Sequence, residues 1–179
     1  MTSSSKFPDQ ASRVSRITRR GVVAAGAFLS LNLWSKQPLA PVVGAQAAMN
    51  TVADFDETTW ADLLKNGPRP AAYVFTTTYC STCPDAFEKL HAFIAASRQK
   101  VALVAVVMDV QGPRVLAHAR HFAGATGLYA FEGFEPAIRQ SVDPKWPNVT
   151  PYVVLLGRKG PVQRSIGPPD AAMLKTWLA

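Results

Sequence analysis

The segment Val101-Ala102-Leu103-Val104-Ala105-Val106-Val107-Met108 is apolar at every position. A strand wet on one face alternates, so this run predicts a strand buried on both faces of a parallel sheet, ending at Asp109. Ala71-Ala72-Tyr73-Val74-Phe75-Thr76-Thr77 is short and β-prone and predicts the first central strand. Between the two, Ala86, Phe87, Leu90, Phe93 and Ile94 recur at helical spacing while Asp85, Glu88 and Lys89 fall elsewhere, which predicts an amphipathic helix lying on the sheet. Ahead of the first strand, apolar Phe55, Trp60, Leu63 and Leu64 with Asp56 and Glu57 between them predict a helix with acids in its first turn. Gly67-Pro68-Arg69-Pro70 stops it.

Further along, Gly112-Pro113 introduces a predicted helix from Arg114 to Phe122, with Val115, Leu116, Ala119 and Phe122 on one face. A shorter helix from Phe134 to Ser141 is predicted to follow Leu128-Tyr129-Ala130-Phe131. Tyr152 to Leu156, the turn Gly157-Arg158-Lys159-Gly160 and Pro161 to Ile166 then predict an antiparallel hairpin. Asp170 can cap a last helix whose Met173, Leu174, Trp177 and Leu178 form an apolar face. The order is βαβ followed by ββα, which predicts an α/β domain with a central mixed sheet flanked by helices.

Composition changes the picture at the start of the chain. Residues 1–47 have the layout of an export signal: Arg13, Arg16, Arg19 and Arg20, then the apolar run Gly21 to Trp34, then Pro38, Pro41 and the small-residue site Ala45-Gln46-Ala47. The run is shorter than the roughly 20 residues of a membrane-spanning helix, so cleavage after Ala47 is expected and residues 48–179 form the folded domain. Thr18-Arg19-Arg20-Gly21-Val22-Val23 resembles the twin-arginine signal of bacterial exported proteins, with Val22 where that pattern usually has Phe, and implies the periplasm. The formal net charge is +7, but residues 1–47 hold six Lys/Arg against one acid, leaving 13 Lys/Arg and 11 Asp/Glu beyond them. That near-balance, with no basic run among aromatics, argues against a nucleic-acid partner.

The two cysteines lie in one turn, Cys80-Ser81-Thr82-Cys83-Pro84, between the first predicted strand and the following helix. This context predicts a redox-active dithiol with Cys80 at the helix N-terminus, where free N–H groups and the helix dipole favour the thiolate. Cys83, one turn further in, is then placed to resolve a mixed disulfide formed on Cys80. Three other readings compete. A structural bridge over so short a loop would contribute about 2 kcal/mol, against about 3 for a 15-residue loop. A zinc site would need four Cys or His ligands, and beyond this pair the chain has only His91, His118 and His121. The third is two incidental buried thiols, disfavoured by the strand–turn–helix setting.

The element order, with Cys-x-x-Cys-Pro after the first central strand and Thr150-Pro151 before the hairpin, resembles the thioredoxin fold over residues 52–179. The added segment at about 110–148 looks like the insertion of exported TlpA-like thioredoxins. The resemblance implies that Pro151 is a cis proline facing the cysteines and that the Thr150 backbone hydrogen-bonds a substrate segment laid across Cys80. Tyr79, Ser81, Thr82 and Pro84 would border that segment. Tyr79 stands where the family usually has Trp, and Val74 where many members have a buried acid, so proton removal from Cys83 must use another group or water. Glu57, Asp109 and Glu132 are the candidate carboxylates, each of which also reads as a solvated surface or strand-end charge.

By the same resemblance the chain is expected to be a monomeric periplasmic thiol–disulfide oxidoreductase without a dissociable cofactor, its redox group being the Cys80–Cys83 disulfide. Its expected role is to reduce cysteines of exported proteins, such as a metalloprotein or a c-type cytochrome apoprotein, with electrons from a membrane thiol donor. The alternative is copper binding or delivery, since a dithiolate suits Cu(I). Copper chaperones of this fold space their cysteines one residue wider and add a distant histidine, whereas residues 132–151 contain none. His118 and His121 share a predicted helix face, His91 lies two turns beyond Cys83, and Met108 and Met173 read as core. A peroxidase is disfavoured because Thr77-Thr78-Tyr79-Cys80 lacks the proline and small residues of a peroxide-binding loop.

Overall fold

A computed structural model describes residues 51–179. The expected export signal, its twin-arginine motif and the cleavage site after Ala47 lie outside the described residues. The elements run β1 (Ala53–Phe55), α1 (Thr59–Asn66), β2 (Ala71–Thr76), α2 (Cys83–Ser97), β3 (Ala102–Val107), a 3-10 helix (Gly112–His121), β4 (Gly127–Phe131), α3 (Glu135–Val142), β5 (Tyr152–Leu156), β6 (Gln163–Ile166) and α4 (Ala171–Trp177). They build one six-stranded mixed sheet in the order β1-β4-β3-β2-β5-β6. Strands β1 to β4 are parallel wherever they pair, and β5 and β6 run antiparallel.

The apolar runs take the central places because only there are both faces covered. Every residue of β2 and β5 is buried. Alternate side chains of β2 feed different cores, as the two-residue period requires. Ala72 and Val74 join Phe87 and Leu90 of α2 and Leu174 and Trp177 of α4 on one face. Tyr73 and Phe75 join Trp60 and Leu63 of α1 and Ile138 and Val142 of α3 on the other. Met173 packs against the first cluster and Met108 against the second. Burial away from water pushes the Tyr73 phenol up to about 12.

Two sequence expectations are corrected, and a segment that the pattern leaves unassigned is filled in. Phe55 does not open a helix but ends β1, pairing with Phe131 of β4, and α1 starts at Thr59. The boundary is made by the Asp56 carboxylate, which accepts hydrogen bonds from the backbone N–H of Thr58 (2.8 Å) and Thr59 (2.9 Å) and from both hydroxyls. Leu128–Phe131, to which the sequence pattern assigns no element, is most of β4 and fills the sheet between β1 and β3, and the helix expected to follow it is α3. The segment after Gly112-Pro113 winds as a 3-10 helix ending at His121, one residue short of Phe122, whose ring reaches Phe87 at 5.5 Å.

The hydrogen bonds from Thr58 and then Thr59 hold the Asp56 carboxyl down at about 2, from 3.8. A folded-state pKa below the unfolded one stabilises fully above the unfolded value and is lost as pH falls through the folded one. Asp56→Ala is therefore expected to lower the urea midpoint at pH 6. The gap to wild type should close as the pH is taken from about 4 towards 2. A gap of the same size at both ends would show that the carboxylate charge is irrelevant to the boundary.

Candidate active site

The turn Thr77–Thr82 joins β2 to α2, and Cys80 and Cys83 are joined by a disulfide with their Cα atoms 5.5 Å apart. Cys83 is the first residue of α2 and only 2% exposed, with Pro84 beside it in the first turn. Cys80 is half-buried, and Ser81 and Thr82 are exposed. Cys80 thus lies in the turn ahead of the helix, with Thr82 as N-cap, rather than at the helix start as the spacing predicted. Proline has no N–H to donate and its φ suits a first turn, so the helix begins just before Pro84. The accessible sulfur still stands off the N-terminal end of a 15-residue helix.

Two contacts fix the turn. The Cys80 N–H donates to Thr77 O (3.3 Å). The Asp109 carboxylate, just beyond β3, accepts from the Thr78 N–H (2.9 and 3.0 Å) and from the Thr78 hydroxyl (2.5 Å). The β2–β3 register, Thr76 opposite Val107, brings these residues together. The Thr82 hydroxyl lies 3.8 Å from Cys80 Sγ, within reach of a weak O–H or S–H hydrogen bond. The Thr77 hydroxyl, by contrast, is buried at the mouth of the turn without a partner.

The loop before β5 reaches the same end of the sheet, because Tyr152 pairs with Phe75 near the C-terminal end of β2. Its Thr150–Pro151 peptide is cis, as is Arg69–Pro70. Pro151 is buried and its carbonyl accepts from the Gly167 N–H (2.8 Å), while Thr150 is half-buried. The loop is held from behind by Trp146, whose indole N–H donates to Val149 O (3.1 Å) and whose ring stacks on Tyr152 at 4.4 Å. Asn148 has a positive φ of 59°. A groove of about 290 Å³ runs beside it, lined by Arg139, Gln140, Asp143, Trp146 and Asn148 with two prolines.

Other expected participants are placed less centrally. Tyr79 is 79% exposed and takes no part in the core. Val74 is fully buried among apolar side chains. Of the three carboxylates, Asp109 is at the turn but committed to Thr78, Glu57 accepts from the Phe134 N–H (3.3 Å), and Glu132 is exposed. His118 and His121 have ring centres 6.1 Å apart, and His121 Nε2 accepts from Arg120 (3.3 Å). No group of three or more His, Cys, Asp or Glu among the described residues could hold a metal ion. Sequence reasoning missed the Asp109–Thr78 tether and the Trp146 support. Asp109 was visible as a strand-end acid, but Trp146 gave no signal beyond its aromaticity.

No family model matches the chain, and no curated protein matches it. Among solved structures it is similar to a secreted Mycobacterium tuberculosis disulfide oxidoreductase homologous to E. coli DsbE, at 17% identity over 60% of this chain and 76% of that one, with a TM-score of 0.40. It is similar to StoA from Bacillus subtilis at 22% identity over 61% and 81%, TM-score 0.42. A thioredoxin-related protein from Neisseria meningitidis serogroup B is similar at 16% identity over 64% and 86%, TM-score 0.46. By its own sheet order, with the Cys80–Cys83 turn between β2 and α2 and the hairpin β5–β6 beside β2, the chain has the thioredoxin fold.

Proposed function

We propose that this protein is a thiol–disulfide oxidoreductase that reduces cysteines of exported proteins in the periplasm. The observation that carries the reading is the asymmetry of the pair: one sulfur half-buried in a turn ahead of a helix, the other buried at the helix start. In the dithiol form the Cys80 thiolate attacks a substrate disulfide, an S–S bond forms to Cys80, and one substrate sulfur leaves as a thiolate that takes up a proton. Cys83, losing its proton, attacks Cys80 Sγ, which releases the second substrate thiol and leaves the Cys80–Cys83 disulfide. Two electrons pass from the dithiol to the substrate, and no dissociable cofactor enters the step.

The Thr150–Pro151 loop, at the same end of the sheet, supplies backbone groups that align the substrate chain by strand addition. Substrates of the metalloprotein or c-type cytochrome kind, and a membrane thiol donor that restores the dithiol, complete the proposal. No helix among the described residues is long and apolar enough to cross a membrane.

The test is the reduction potential of the pair, read by alkylation after equilibration with defined thiol–disulfide buffers. A value near or below about −250 mV is expected for a reductase. A value of about −120 to −180 mV would replace reduction by oxidation or isomerisation. A pair that cannot be reduced without unfolding would make the bridge structural and end the redox reading.

A further inference from the structure

We propose that Arg139 of α3 is the positioning residue for the Val149–Thr150–Pro151 loop, a role that rests on the reading of that loop as the substrate-docking segment. The guanidinium is clamped at three points. One terminal nitrogen donates to Asn148 Oδ1 at 2.6 Å. The other pairs with Glu135 at 2.8 Å, one turn back on the same helix. Its Cζ lies over the Trp146 ring, 6.0 Å from the ring centre. Trp146 and Asn148 are the two residues that shape the loop, the first through its bond to Val149 O and the second through its left-handed backbone.

Asparagine tolerates that backbone better than other residues bearing a Cβ, but a free loop would still leave it readily. The hydrogen bond from Arg139 keeps the Asn148 side chain, and with it the backbone, in one arrangement two residues before Thr150. Arg139 Nε is buried without a partner, so the guanidinium is held by hydrogen bonds from its terminal nitrogens, with Trp146 at cation–π range. Asp143, which faces the same groove, is engaged elsewhere by Arg164 (3.2 Å) and by the Tyr152 hydroxyl. It leaves Arg139 to Glu135 and Asn148. Helix α3 lies in the segment inserted between β3 and β5, and through Arg139 that insertion fixes the docking loop from outside the sheet.

The experiment compares the full chain with Arg139→Met, which keeps an apolar stem on Trp146, and with Asn148→Ala, which removes the other end of the same bond. In the oxidised proteins, hydrogen exchange at the Trp146 indole N–H, which donates to Val149 O, and at the Gly167 N–H, which donates to Pro151 O, is expected to rise about tenfold in either variant, the loss of one charge-assisted hydrogen bond. The double variant should be no worse than either single one. Reduction of Cys80–Cys83 by dithiothreitol should keep its wild-type rate and potential, while exchange with a disulfide-bonded peptide falls by a similar factor. Unchanged loop exchange, or a rise spread over the whole domain with a lowered Tm, overturns the proposal. Faster local exchange with undiminished peptide exchange leaves the positioning role standing and overturns the docking reading beneath it. Arg139→Lys, which can still reach Asn148 but cannot fork to Glu135, provides the comparison if Arg139→Met does not fold.

Discussion

On the proposed mechanism, Cys80→Ser is expected to lower exchange with protein disulfides by several orders of magnitude, while Cys83→Ser is expected to keep the first half of the reaction and stop there. The difference follows from exposure. Cys83 is only 2% exposed, so with Cys80 gone no sulfur faces a substrate. With Cys83 gone, Cys80 can still be joined to a substrate but nothing inside the protein displaces it. Cys83→Ser should therefore accumulate mixed disulfides, visible on non-reducing gels as adducts that collapse with dithiothreitol. A structural bridge predicts something else: both variants lose a little stability alike and neither captures a partner. Adducts on Cys80→Ser and none on Cys83→Ser would reverse the assigned roles.

The second large effect concerns folding. Phe75→Ala is expected to remove about 3–5 kcal/mol of stability, a large share of the roughly 5–15 kcal/mol that holds a domain of this kind. Phe75 is fully buried, and its ring meets Trp146 at 4.9 Å, Phe55 at 5.6 Å, Trp60 at 6.2 Å and Phe131 at 6.3 Å. Those partners come from β1, α1, β4 and the loop before β5, none of which can move in to fill the space without giving up its own packing. Urea unfolding measures the loss. A change below about 1 kcal/mol would show that the aromatic cluster collapses around the gap.

What the sequence made legible were the elements whose signal is local and strong. The unbroken run at 101–108 became β3, the alternating faces of 86–94 became α2, and Asp170 caps α4 by accepting from the Met173 N–H at 2.7 Å. Weaker elements were hidden by competing signals. Asp56 and Glu57 next to Phe55 look like the first turn of a helix, and only the pairing with Phe131 makes Phe55 a strand residue. Gly127–Phe131 is a strand because β1 and β3 flank it, and neither neighbour can be inferred from five residues. At the site, the cysteine pair was plain because a four-residue turn carries it. Its supports were not, since Thr78 and Asp109 are 31 residues apart and meet only through strand register, and the Arg139–Asn148 contact crosses a loop of no fixed period.

Among the described residues the sheet has two open edges, β1 with three residues and β6 with four. An edge strand is a template for any extended chain, and a protein proposed to receive such chains is unusually exposed to sticking to them, or to itself. Here each edge is short and carries a charge, Asp54 on β1 and Arg164 on β6, the latter drawn to Asp143. Short charged borders discourage lateral growth into fibrils. On the proposed reading, backbone pairing with a client chain then falls to the Thr150–Pro151 loop, at the same end of the sheet as the Cys80–Cys83 turn.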